Sequence, residues 1–354
     1  MVIRGVDTMA LALTLVIGAI GGTLATLLGL PLGYLLGSLL AVGVTAGMGW
    51  TPFGHGMTLP IRLRMSFVPV IGVAIGGAFT PEVAQQALGW GGSLAALLLF
   101  VPLAHGIGFA IYRLGGLPRV DAFFCALPGG LLESVQLGEE AGADVRLLTV
   151  LQFLRLILTI IAVPLIFLAV TGHAVGSASG VQMTGAEIPL TLRDVVLLLA
   201  CGLVGVGLGR LLRIPAWIMT GPLILSAFAH AIGWVEGVPP GWLIALTQMV
   251  LGTGLGARFA GVTRAMLRRA GMLALLNGAA VMTLAFGFAL ALHGWAGQPV
   301  AAVFLAFAPG GLAEMSLIAL SLNMSAIYVT AHHVVRIAMA VLMAQMGAGW
   351  LRRH

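Results

Sequence analysis

Hydrophobic and polar positions along this chain separate on the scale of whole helices. Apolar runs cover about residues 9–29, 31–49, 65–80, 91–112, 121–139 and 147–170, and then 193–209, 214–234, 242–257, 271–292, 299–321 and 326–350. Most are long enough to cross a hydrocarbon core of about 30 Å at about 1.5 Å per helical residue. Short stretches rich in arginine, glycine and proline separate them, so the pattern predicts membrane-spanning helices from end to end. The fifth run of each set differs. Pro128-Gly129-Gly130 and Pro309-Gly310-Gly311 stand in the middle of these runs, where they break a helix into two half-length pieces.

The two sets are copies. ALPGGLLES (126–134) returns as FAPGGLAEM (307–315), placing Pro128 on Pro309 and Glu133 on Glu314 at a shift of 181. At the same shift LQFLR (151–155) lies over HHVVR (332–336), so Arg155 falls on Arg336 and Gln152 on His333. VIGVAIGGAF (70–79) returns as VLGTGLGARF (250–259), and LPLGYLLGSLL (30–40) as IPAWIMTGPLI (214–224). The expected organisation is a first repeat over 1–171, a polar linker over 172–190 and a second repeat over 191–354.

Arginine placement predicts the orientation, because cytoplasmic loops are enriched in basic residues. If the fifth run crosses the bilayer, the repeats are parallel and Arg210, Arg213, Arg258, Arg264, Arg268 and Arg269 all lie outside. If it dips in and returns, those six join Arg4, Arg62, Arg64, Arg113, Arg119, Arg146, Arg352 and Arg353 in the cytoplasm, and Arg193 alone stays outside. The second arrangement obeys the rule. It predicts an all-α polytopic membrane protein of two inverted repeats, each with about five spans and a re-entrant hairpin, with 10–12 membrane segments and both termini cytoplasmic.

Composition agrees. The chain has 354 residues, 60% hydrophobic and 8% charged, with a mean hydropathy of +1.10. These values exclude a soluble fold and a disordered chain, and two cysteines, Cys125 and Cys201, exclude a disulfide-stapled module. The first apolar run lacks a cleavage site and is expected to stay as a span. The net charge of +6 comes from arginines between the runs, which is a topology signal and predicts no nucleic-acid partner.

Broken helices inside a membrane expose helix ends: free N–H groups that favour anions at one end and free carbonyls that favour cations at the other. Pro128, Gly129, Gly130, Pro309, Gly310 and Gly311 supply such ends. Glu133 and Glu314 are charges within apolar runs and require compensation, for which Arg155 and Arg336 are the expected partners. These pairs read either as structural ion pairs or as ligand and proton contacts. Gln152 and His333, one turn before the arginines, make the two copies chemically unequal. His332 and His333 point about 100° apart on a helix, so no metal site is expected. Ser134, Ser316 and Asn323 read as helix–helix hydrogen-bonding residues, His105 as a satisfied polar residue and not a ligand, and the glycine ladders at 72–77 and 252–256 as close-packing faces.

Together LPLGYLLGSLL, ALPGGLLES, GADVRLLTVLQFLRL and their second copies FAPGGLAEM and HHVVRIAM resemble the AbrB-type bacterial membrane protein family, whose members carry labels such as ammonia monooxygenase or regulator of aidB expression. The resemblance spans essentially the whole chain and implies an inner-membrane protein with a duplicated domain. The monooxygenase label demands a redox metal cluster the sequence does not offer, so no enzyme activity and no cofactor are expected. The expected function is alternating-access secondary transport of a small organic anion, coupled to protons or sodium, with the hairpin-bearing bundle moving against the remaining spans and the protein expected as a homodimer. The site is expected at Pro128, Gly129, Gly130, Glu133, Gln152, Arg155, Pro309, Gly310, Gly311, Glu314, His333 and Arg336. The alternative is a non-transporting membrane sensor that acts indirectly on gene expression.

Overall fold

A computed structural model describes residues 2–3, 6–30, 32–171, 189–322 and 324–351. The first half folds into α1 (Thr8–Leu27), α2 (Gly33–Gly47), α3 (Ile61–Gly76), α4 (Pro81–Ala87), α5 (Gly91–Leu114), α6 (Arg119–Ala126), α7 (Leu131–Glu140) and α8 (Val145–Thr171). The second half gives α9 (Leu192–Leu211), α10 (Trp217–Ala231), α11 (Gly241–Gly256), α12 (Arg264–Ala291), α13 (Val300–Phe307), α14 (Leu312–Ser321) and α15 (Ala326–Leu351). A two-residue antiparallel pair, Val2–Ile3 with Val6–Asp7, precedes α1. Each apolar run forms a helix, except that the two fifth runs form helix pairs, α6/α7 and α13/α14. The short α4 has no signal of its own in the pattern. Segments within α1, α5, α8, α9, α12 and α15 are long and apolar enough to cross a membrane, and the chain is an all-α polytopic membrane protein. The linker, apart from residues 189 and 190, lies outside the described residues, as do Arg4, Asn323, Arg352 and Arg353.

The helices gather into two compact units, each drawn from both sequence repeats. The first comprises Met1–Pro81, Ile161–Thr263 and Ser316–Ile327, and the second Glu82–Ile160, Arg264–Met315 and Tyr328–His354. A repeat in the sequence is therefore not a body in space: α1–α3 group with α9–α11, while α5–α7 group with α12 and α13.

In the first unit the glycine ladders are the contact surfaces. A β-carbon at Gly72 would fall 2.3 Å from the Met219 carbonyl oxygen and one at Gly76 2.6 Å from that of Leu223, so α3 lies backbone to backbone against α10. The second copy repeats this: β-carbons at Gly252 and Gly256 would fall 2.2 and 2.6 Å from the Leu35 and Leu39 carbonyl oxygens of α2. Only glycine permits such an approach, and it trades side-chain burial for close backbone packing where lipid offers no hydrophobic driving force. Gly72→Ala is expected to lower the melting temperature of the detergent-purified protein clearly, because overpacking against backbone costs about 1–3 kcal/mol. The control Gly278→Ala, with nothing within 4 Å of the added methyl, is expected to melt at or above the parent temperature.

The same contacts fix helix direction. Numbers rise together along α3 and α10, so these run parallel, as do α2 and α11. The end of α3 meets the start of α11 through Gly77 and Val238, and the end of α11 meets the start of α3 through Gly254 and Arg64, so α3 and α11 are antiparallel. It follows that α2 and its copy α10 point in opposite directions. The second unit gives the result directly, because α5 packs on its own copy α12 with Phe100 against Phe288, Tyr112 against Asn277 and Gly115 against Leu273. A helix antiparallel to its own repeat is the signature of an inverted duplication.

The first unit also holds an apolar groove of about 600 Å³, walled by residues such as Pro69, Val73, Leu198, Trp217 and Trp242 and without a charged lining residue, so it offers nothing to an anion.

Candidate functional site

All the hairpin geometry described below lies within the second unit. α6 stops because Pro128 cannot continue it, and Leu127 turns extended at φ −57°, ψ 125°. α13 stops in the same way, with Ala308 at φ −56°, ψ 142° before Pro309. Each first half-helix therefore ends with unpaired carbonyls in an apolar surround. An arginine from the following long helix covers each end. On α8, Arg155 donates from Nη1 to the Leu127 carbonyl. On α15, Arg336 donates from Nη1 to the Ala308 carbonyl and from Nη2 to that of Gly310 at 2.8 Å. The positions correspond at the repeat shift, so this is one device used twice: a guanidinium on the negative end of a half-helix dipole.

The residues one turn earlier serve the same helix ends. Gln152 Nε2 donates to the Phe124 carbonyl at 2.9 Å. His333 stands 2.9 Å from the Leu305 carbonyl through Nε2 and 3.0 Å from Arg336 Nη2 through Nδ1. Since carbonyls only accept and guanidinium only donates, His333 carries its proton on Nε2 and accepts at Nδ1. His332 turns elsewhere, to the Tyr328 carbonyl at 2.8 Å and Ser93 Oγ at 2.9 Å.

The two turns lie between α8 and α15. A β-carbon at Gly129 would sit 3.5 Å from Ile337 of α15, one residue from Arg336, and one at Gly311 would sit 2.9 Å from Leu156 of α8, one residue from Arg155. The turns differ in conformation. Gly130 adopts a left-handed φ of 62°, which favours glycine. Gly311 makes room for Glu314, whose Oε2 would be 2.1 Å from a β-carbon there. Glu314, 4% exposed, thus folds back over the N-terminal end of α14, where its negative charge meets the positive end of the helix dipole.

The expected pairing of Arg336 with Glu314 is corrected by this geometry. Arg336 directs both its Nη atoms to carbonyls and His333, and Glu314 lies at the opposite kind of helix end. The side chain of Glu133 lies outside the described residues. The site also contains residues the motifs did not indicate. Asn277 of α12 donates to Tyr112 Oη of α5 at 3.1 Å, and a β-carbon at Gly108 would lie 2.9 Å from Asn277 Oδ1 and 3.1 Å from Ala126 Cβ, which brings this pair to the last turn of α6. Among the described residues no group of three or more His, Cys, Asp or Glu side chains could hold a metal ion.

The family model described as "Transition state regulatory protein AbrB" matches residues 44–352. The chain belongs to the AbrB family. It is 24% identical over 348 residues to "Uncharacterized protein YhjN" of Bacillus subtilis (strain 168), covering 92% of this chain and 88% of that protein. It is 25% identical over 295 residues to "Putative regulator AbrB" of Escherichia coli (strain K12), covering 83% of this chain and 82% of the relative. For this AbrB-family chain the hairpin breaks and their arginines fall inside the matched region.

Proposed function

We propose that this protein is a secondary transporter of a small organic anion in a bacterial inner membrane, with both termini cytoplasmic. The observation that carries the reading is the pair of broken helices, each held open at its C-terminal end by a buried arginine. Holding half-helix ends inside a membrane is expensive, and the recurring use of that expense is a solute site at mid-membrane. Buried guanidiniums set the sign: a free cation beside them is disfavoured, and a carboxylate finds charge-assisted donors. Glu133 and Glu314, each in the first turn of a second half-helix, are the groups through which a proton or sodium ion couples to the cycle. Rigid-body movement of the hairpin-bearing unit supplies alternating access, and the protein works as a homodimer without catalysing a reaction.

The test is uptake of radiolabelled small carboxylates into proteoliposomes under an imposed proton or sodium gradient. Gradient-dependent uptake of at least one, abolished in the double variant Glu133→Gln, Glu314→Gln, is the expected result. No uptake of any, with undiminished function of the double variant in cells, contradicts the reading. The regulatory description of the family and of the Escherichia coli relative favours a second reading, a membrane regulator acting indirectly on gene expression. That reading predicts no flux and a stable protein complex.

A further inference from the structure

The two arginines are not equivalent. Arg336 is committed: its Nη atoms face the carbonyls of Phe307, Ala308 and Gly310 and the His333 ring. Glu314 already occupies the positive end of α14. In the second copy both Nη atoms and the positive helix end are thus already served. Arg155 by contrast bonds one carbonyl, that of Leu127; the Nε of each arginine is buried without a partner, so the difference between the two lies in their Nη atoms.

Three acceptors near the end of α6 are likewise buried and unpartnered: Gln152 Oε1, Asn277 Oδ1 and His105 Nδ1. Gln152 is 0% exposed, Asn277 2% and Arg155 7%. Gln152 is pinned by its NH₂ to the helix-end carbonyls, which fixes its oxygen as the free atom. Tyr112 accepts from Asn277, which leaves its hydroxyl proton to give, and it lies within electrostatic reach of Arg155. Native interiors rarely leave buried polar atoms unpaired, and four gathered around one helix turn point to a missing partner.

We propose that Tyr112, Gln152, Arg155 and Asn277 form the ligand site, and that the ligand is a small carboxylate with a hydroxyl or amino group next to the carboxylate. This rests on the anion-transport reading and narrows it. The free Nε and Nη2 of Arg155 and the Tyr112 hydroxyl donate to the carboxylate, and the Gln152 and Asn277 carbonyl oxygens accept from the neighbouring hydroxyl or amino group. A carboxylate without that donor leaves both amide oxygens unpaired, the situation in which a polar site discriminates most strongly. Burial of all four residues means that the ligand gains access when the hairpin moves.

The experiment is a melting-temperature titration of the purified full-length protein with lactate, alanine and propionate, which share a three-carbon skeleton. Lactate or alanine is expected to stabilise at a concentration at least about tenfold lower than propionate. Gln152→Leu removes an unpaired buried oxygen but also the donor to the α6-end carbonyls, so it is expected to melt lower without ligand, whereas Asn277→Leu gives up only a bond to the Tyr112 hydroxyl and is expected to hold; in both the preference shrinks to about threefold or less. The control Gly287→Ala, whose added methyl meets nothing within 4 Å, is expected to keep the preference. Equal responses to all three carboxylates overturn the donor-bearing class and leave anion transport standing. A preference that survives in both leucine variants overturns the assignment of these two amides. No response to any of the three overturns both this site and the reading beneath it.

Discussion

Arg336→Met is expected to destabilise the protein by at least about 2 kcal/mol, read as the shift in denaturant unfolding of the detergent-solubilised chain. The guanidinium serves the carbonyls of Phe307, Ala308 and Gly310, and a methionine of similar reach serves none. A buried acceptor left without a donor costs about 1–3 kcal/mol, and the end of α13 cannot rotate to find another because Pro309 fixes the chain there. Relief from burying a cation works the other way. It is incomplete, since the carbonyl end already supplies partial negative charge. Arg336→Lys restores part of the loss through a single ammonium. A methionine variant as stable as the parent would show that the half-helix end needs no cation.

The largest functional effect is expected at Arg155. Its one bond to the Leu127 carbonyl makes Arg155→Met cheaper in stability than the Arg336 change, yet uptake of the transported carboxylate is expected to fall at least about 100-fold. Two charge-assisted hydrogen bonds to a ligand carboxylate, at about 1.5–3 kcal/mol each, account for that factor. Initial uptake rates in proteoliposomes measure it, with unfolding run on the same preparations. The opposite ranking, transport surviving at Arg155 and failing only at Arg336, would reverse the roles assigned to the two copies.

Much of this architecture was legible in residues with strong physical signatures. Apolar runs gave the helices, Pro128 and Pro309 gave the breaks, and the ladders of Gly72, Gly76, Gly252 and Gly256 gave the close contacts before their partners were known. Arginine asymmetry indicated the inversion that the direction of α5 against α12 then displays. The partners of Arg155 and Arg336 were not legible, because sequence offers carboxylates as visible counter-charges and hides helix-end carbonyls, which every residue carries. Asn277 and Tyr112 escaped for a related reason. Each is one of a few scattered polar residues in an apolar run, and only the antiparallel meeting of α5 with α12 brings them to the end of α6. The grouping of α1–α3 with α9–α11 was equally hidden, since apolar periodicity marks which helices are buried and not which ones pack together.

In the proposed topology the two hairpins enter the bilayer from opposite faces. Side-specific thiol labelling in intact cells tests it most directly, in a background with Cys125→Ser and Cys201→Ser. The exposed positions Arg119 and Glu140 flank the first hairpin, and the exposed His293 precedes the second. With cysteine at each in turn, the account predicts that Arg119→Cys and Glu140→Cys resist a membrane-impermeant maleimide until the cells are opened, while His293→Cys reacts at once. Arg119→Cys and Glu140→Cys labelling from opposite sides would mean that residues 121–139 cross the membrane, and the inverted hairpin site would be wrong.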